Sequence, residues 1–168
     1  GFSFELVPEP ATLTINVPIW QIDNQVEIGY LLLSGTTSVA KTGAGTLVLD
    51  AANTFSSFLS VNEGAVLASN PQALGTATLN VASGAAFTIA PEVGALNAVQ
   101  IEKLGTIAGT LDVGVGRFTL GSSSGAVESA KSLLVSGRNG GTWNGTSGIT
   151  STAAATDLQA GIVRSVGW

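Results

Sequence analysis

Any chemistry in this 168-residue chain falls to carboxylates, since it holds 11 Asp and Glu and 6 Lys and Arg but no His or Cys. Without imidazole or thiolate, the usual zinc ligand sets and the Ser-His and Cys-His nucleophile pairs are missing. Glycosidase-type acid–base work would need two carboxyl groups held close together. The acids are scattered: Glu5, Glu9, Asp23, Glu27, Asp50, Glu63, Glu92, Glu102, Asp112, Glu128 and Asp157. Asp50 and Glu102 each follow an alternating apolar segment, but in different ladders. An activity on acidic polysaccharides would fall to Asp50 or Asp112, because a β-helix can bring distant acids onto one face. The plainer expectation is that all are turn and solvated-face residues, so that the chain is no enzyme. Gly43-Ala44-Gly45 and Gly114-Val115-Gly116 lack the helix and Lys of a phosphate loop. No Gly-Gly-x-Gly-x-Asp calcium repeat occurs either, so no cofactor or metal is expected.

Composition narrows the class. Hydrophobic residues make up 45% and charged residues 10%, with a mean hydropathy of +0.43. Disordered segments have the opposite balance. No apolar run approaches the roughly 20 residues of a membrane-spanning helix, so no membrane span is expected. The basic residues Lys41, Lys103, Arg117, Lys131, Arg138 and Arg164 are isolated from one another. A nucleic-acid partner would require a basic stripe. With 22 Gly and many Thr, Ser and Asn, the faces suit stacking against copies of the same chain. Absence of Cys leaves stability to packing and hydrogen bonds. The chain begins at Gly1 and not at Met, which predicts that a leader has been removed from an exported protein.

The elements follow a repeat. Leu47, Leu67, Phe87 and Ile107 recur every 20 residues, as do Leu59, Leu79 and Val99, and Val61, Val81 and Ile101. Pro71 and Pro91, and Gly64 and Gly84, keep the same interval. Within each coil the pattern has period two, as in Leu47-Val48-Leu49 and Leu79-Asn80-Val81, which reads as a strand with one buried face. Stacked coils would align these residues into core ladders and pair the backbones as parallel strands. Asn, Asp, Gly and Pro fall at the corners, in Asp50–Asn53, Asn62–Gly64, Ser69–Pro71 and Ala82–Gly84. A β-sandwich of regular hairpins is the alternative, but it has no reason to repeat side-chain identity every 20 positions.

Lys41-Thr42-Gly43-Ala44-Gly45-Thr46-Leu47-Val48-Leu49, then Asn53-Thr54-Phe55, then Val61-Asn62-Glu63-Gly64-Ala65-Val66-Leu67, resembles the autotransporter-associated β-strand repeat. The quoted motifs lie within residues 41–67. Ser56-Ser57-Phe58 stands where that repeat has Gly-Gly-Thr. It implies a right-handed parallel β-helix in a secreted or surface-displayed bacterial passenger. The block from Leu133 to Gly145, with Asn139-Gly140-Gly141-Thr142-Trp143, is similar to a segment that follows such repeats in bacterial surface proteins. Trp143 is expected to cover the open end of the apolar stack.

The expected fold is therefore an all-β parallel β-solenoid of about 20-residue coils. Residues 1–33 form an N-terminal strand arm or cap, 34–128 the solenoid and 129–168 a C-terminal cap. In the arm, Phe2, Phe4 and Leu6 alternate, as do Leu13, Ile15, Val17 and Ile19. These seven residues could cap their own solenoid or form a donor strand paired with a neighbouring subunit, which propagates a filament when the contact does not close. The expected function is a structural, self-assembling subunit of an extracellular or cell-surface bacterial fibre, with copies of itself as partner. The alternative is a segment of a larger adhesin or passenger that binds a host surface or carbohydrate.

Overall fold

The computed structural model describes residues 12–16, 25–28, 33–36, 38–91 and 98–164. Its strands are β1 (Thr12–Asn16), β2 (Gln25–Ile28), β3 (Ser38–Thr42), β4 (Thr46–Leu49), β5 (Phe58–Val61), β6 (Ala65–Ala68), β7 (Thr78–Val81) and β8 (Ala86–Ile89). There follow β9 (Val99–Ile101), β10 (Lys103–Ile107), β11 (Thr110–Asp112), β12 (Phe118–Leu120) and β13 (Gly148–Thr150). Most are short runs of β-branched and apolar residues followed within two positions by Gly, Asn, Asp, Ser or Pro, which is why they stay strands and turn quickly. One sheet has the order β1-β3-β5-β7-β10, a second β13-β11-β8-β6-β4-β2, and β12 pairs with β9. Every pairing in these sheets is parallel. A sandwich of hairpins would be antiparallel. The fold is a β-solenoid of about four turns.

In the first sheet Val39, Leu59 and Leu79 stack, and beside them Lys41, Val61 and Val81, each step advancing by the expected coil length. The second sheet departs from that interval. Leu47 pairs with Val66, Val66 with Phe87, Phe87 with Leu111, and Leu111 with Ile149. Leu67 is therefore not in the core ladder; it lies between Val48 and Thr88 on the outer face and is half-buried. The cause is the corner after β5. Three residues separate Val61 from Ala65, whereas four separate Lys41 from Thr46 and Val81 from Ala86. One residue fewer in a corner exchanges the inner and outer faces of the strand that follows.

Val99 and Ile101 are fully buried, but they do not continue the Leu59–Leu79 and Val61–Val81 ladders. They pair with Phe118 and Leu120 on a third side. The continuing rung is supplied by Leu104, opposite Leu79, and Ile107, opposite Val81, with a bulge between them. Asn80 fills that bulge by accepting the Thr106 amide at 2.9 Å. Ile107 thus belongs to the first sheet and not to the ladder of Leu47 and Phe87.

Before β9 the third side is made of arcs, not strands. Phe55, Ala73 and Leu74 are buried there. Asn53 holds three successive coils together: Oδ1 accepts the Leu33 amide at 2.8 Å, and Nδ2 donates to the Ala73 carbonyl at 2.7 Å.

The C-terminal segment is partly helical, which the low content of helix formers did not predict. Helix α1 (Ala126–Arg138) leads through a single 3-10 turn to Trp143, then β13, then helix α2 (Thr152–Gln159). The predicted boundary at residue 129 falls inside α1. Helix α1 lies against β13, with Gly137 packed on the backbone of Ile149, where a Cβ would clash. Leu133 and Leu134 of α1 pack on the core, and Ile149 is part of it. Those residues close the stack. Trp143 is buried, at 7% exposure, yet stands outside the main core cluster. Its amide donates to the Arg138 carbonyl, and its carbonyl accepts the Ser151 amide. It locks the connection between α1 and β13 and is not the lid on the solenoid core.

Candidate functional site: the two ends of the solenoid

The ends differ. At the N-terminal end β1 and β2 are the last strands of their sheets, so among the described residues each has a strand partner on one side only. Leu13 and Ile15 lie in β1, in register with Val39 and Lys41 of the same chain. Phe2, Phe4, Leu6, Val17 and Ile19 lie outside the described residues.

At the other end, a cavity of about 390 Å³ opens between α1, the last coil and the start of α2. Pockets that bind small molecules span roughly 300–1,000 Å³. Val113, Phe118 and Leu120 form its floor, and Val127, Ala130 and Leu134 form the α1 wall. Arg117 and Arg164 are its charged lining residues, and no carboxylate lines it among the described residues. Arg164 also pairs with Asp157.

The position of α2 beside this cavity is fixed by two polar residues. Asp112 Oδ1 accepts the amides of Gly114 and Thr152, each at 2.9 Å. Ser151 Oγ donates to the Gly114 carbonyl at 2.7 Å and accepts the Ala154 amide at 3.0 Å, capping α2. Asp112 is thus a buried tether between the last coil and the helix. Asp50 sits at the end of β4, three rungs away across β6 and β8, and its carbonyl accepts from Asn70. The two acids are not brought together. No group of three or more Asp and Glu that could hold a metal occurs among the described residues.

Lys41 is the polar residue whose setting was not legible in the sequence. It is fully buried at 0% exposure, at an inward position of β3 beside Val61. Its Nζ donates to the carbonyls of Thr42, Gly43 and Glu63 at 2.8, 2.6 and 3.2 Å. Burial pushes its pKa down, and the Glu63 carboxylate pulls it partly back up. The same lysine opens the repeat-like motif, and its alternation with Val39 could have signalled an inward side chain. The Gly43–Gly45 turn is the corner that Lys41 closes, in agreement with its reading as a turn.

Comparison with protein-family models, curated proteins and solved structures finds no match for this chain. The likeness to the autotransporter-associated repeat therefore rests on its motifs alone. No helix among the described residues is long and apolar enough to cross a membrane.

Proposed function

We propose that the chain is a structural subunit of an extracellular or cell-surface bacterial fibre that assembles by β-strand pairing between copies. The observation that carries this reading is the open rung: β1 and β2 end two parallel sheets with one edge of each unpartnered among the described residues. Parallel edges present a row of free backbone donors and acceptors that another strand can satisfy. The opposite end carries a helix across it, so successive subunits would meet through unlike surfaces, the arrangement that extends without closing. Low charge and the absence of Cys and Met suit long-lived exposed material.

The same open rung supports a second reading, a coil segment of a larger passenger or adhesin in which a preceding coil would cover β1 and β2. Electron microscopy of the native protein at neutral pH separates the two. Regular filaments with one subunit per axial repeat are expected for the fibre. Dispersed monomers over a wide concentration range would overturn it in favour of the passenger.

A further inference from the structure

Resting on the fibre reading, the geometry points to the cavity at the capped end as the acceptor for the N-terminal arm, residues 1–11, of a neighbouring subunit. Three observations converge on this occupant. First, β12 forms the floor of the cavity with Phe118 and Leu120, and its only strand partner among the described residues is β9. It is the last rung of the third side, with one edge left for an added strand. Secondly, the arm alternates Phe2, Phe4 and Leu6, so a strand made of it presents three large apolar side chains on one face. The cavity walls that would receive them are Val113, Val127 and Leu134. Val127 is 56% exposed, which is unusual for a valine facing a cavity in its own chain and expected if another chain covers it.

The third observation is charge. Residues 1–40 contain Glu5, Glu9, Asp23 and Glu27 and no Lys or Arg, whereas from residue 103 onward five basic residues face three acidic ones. Arg117 and Arg164 line the cavity, Arg164 in an ion pair with Asp157, and among the described residues no carboxylate is part of the lining. An acidic, apolar arm thus meets a basic, apolar groove, which favours head-to-tail contact between unlike ends and disfavours pairing of like ends. Strand addition gives the affinity through backbone bonds, and alternate side chains set the register. A free apolar anion or the chain's own last residues are the competing occupants, and neither would link two subunits.

The chain has no cysteine, so single thiols can report the contact in the full-length protein. A Phe4→Cys variant carrying a size tag is mixed with an untagged Val127→Cys variant and mildly oxidised, with filaments monitored by microscopy. The expected product is the mixed disulfide dimer, in excess over both symmetric dimers. Val127→Arg, at an exposed position that leaves the fold intact, should raise the concentration needed for assembly by roughly tenfold or more, the effect of losing one well-packed interface residue. Filaments that form without the mixed disulfide, or that tolerate Val127→Arg, would overturn the arm–groove contact while the fibre reading stands. A protein that stays monomeric and uncrosslinked would overturn both.

Discussion

Lys41 and Glu63 interlock one coil apart, with Lys41 Nζ donating to the Glu63 carbonyl at 3.2 Å while Glu63 Oε2 accepts the Gly43 amide at 2.9 Å. The pair seals a corner where the chain turns from β3 to β4 and the next coil turns from β5 to β6. An ammonium group surrounded by three carbonyls keeps its hydrogen bonds at full burial, which is the condition under which a buried charge is tolerated.

Replacing Lys41 by Met keeps most of the volume but takes the donor from three carbonyls. Leaving buried polar groups unpaired costs about 1–3 kcal/mol each before relaxation. A net loss of about 2–4 kcal/mol is expected, read from denaturant midpoints at unchanged m-value. A variant as stable as the parent would show that the corner carbonyls are hydrated and the lysine dispensable.

The pH dependence has a defined sign. The folded-state pKa of Lys41 lies below the ordinary lysine value of 10.5 because burial disfavours the charge, with Glu63 opposing. Between that lowered value and 10.5 the unfolded chain binds more protons than the folded one, so stability rises with pH across this window. Below the window the burial penalty is present in full. The parent should gain stability relative to Lys41→Met as pH rises from the lowered folded-state value towards 10.5; a falling difference would mean that the carbonyl cradle dominates and holds the pKa up.

Asn53 should be the most sensitive polar residue of the third side, since its amide bridges Leu33 and Ala73 in the coils on either side. Asn53→Ala leaves the Leu33 amide and the Ala73 carbonyl without these partners, and a cost of about 2–4 kcal/mol is expected. Asn53→Asp keeps the acceptor and should recover part of it. Hydrogen exchange at the Leu33 amide is the local readout: fast in the Ala variant, slower in the Asp variant.

The parallel coil architecture was legible because period-two alternation and the repeat interval agree over β3 to β8, where successive coils differ little in length. Leu59 with Leu79 and Val61 with Val81 follow that interval. Leu67 did not, because one residue fewer in the corner after Val61 is offset by one more between β6 and β7, so the interval of 20 returns at Leu79 while the inner and outer residues of β6 are exchanged. Ile107 and the pair Val99 and Ile101 were misplaced for another reason: the coil after β8 gains a strand on the third side, and no local pattern marks an insertion that keeps alternation. Residues from two distant segments make the cavity, with Phe118 and Leu120 on one and Val127 and Leu134 on the other, so spacing alone could not assemble it. The helices were hidden because the all-β expectation rested on the scarcity of Glu, Lys and Gln and the absence of Met over the whole chain, whereas Ala126–Arg138 itself sets two Ala, two Leu, Glu128, Lys131 and Arg138 among its Ser, Val and Gly. Helix α1 is held by packing on β13 more than by propensity.

Gly64 separates two kinds of glycine. Its φ is +65°, and an added Cβ would lie against the carbonyl oxygens of Gly43 and Gly45 in the coil below. Gly84, at the equivalent corner one coil later, has φ +80° but open space around it. Gly84→Ala should cost about 1–2 kcal/mol, the strain of a left-handed residue. Gly64→Ala adds a backbone clash and should cost clearly more, enough to lower the yield of folded protein. Equal melting temperatures for the two variants would show that the corner relaxes freely.

The tether at the capped end gives the last prediction. Asp112 accepts the amides of Gly114 and Thr152, and Thr152 opens α2. Asp112→Ala removes both acceptor bonds where the carboxylate is nearly buried, and hydrogen bonds to charged groups are worth about 1.5–3 kcal/mol each. The loss should be local, because the ladders from Val39 to Phe87 have no contact with this carboxylate in their hydrogen bonding. Limited proteolysis should therefore cut near residues 152–164 in the variant while the coil region resists. Asp112→Asn keeps an oxygen acceptor and should restore resistance in part. If instead the Ala variant unfolds as a whole, α2 and the solenoid form one cooperative unit. Asp112 then secures the entire stack, and any effect of its loss on assembly would follow from folding alone.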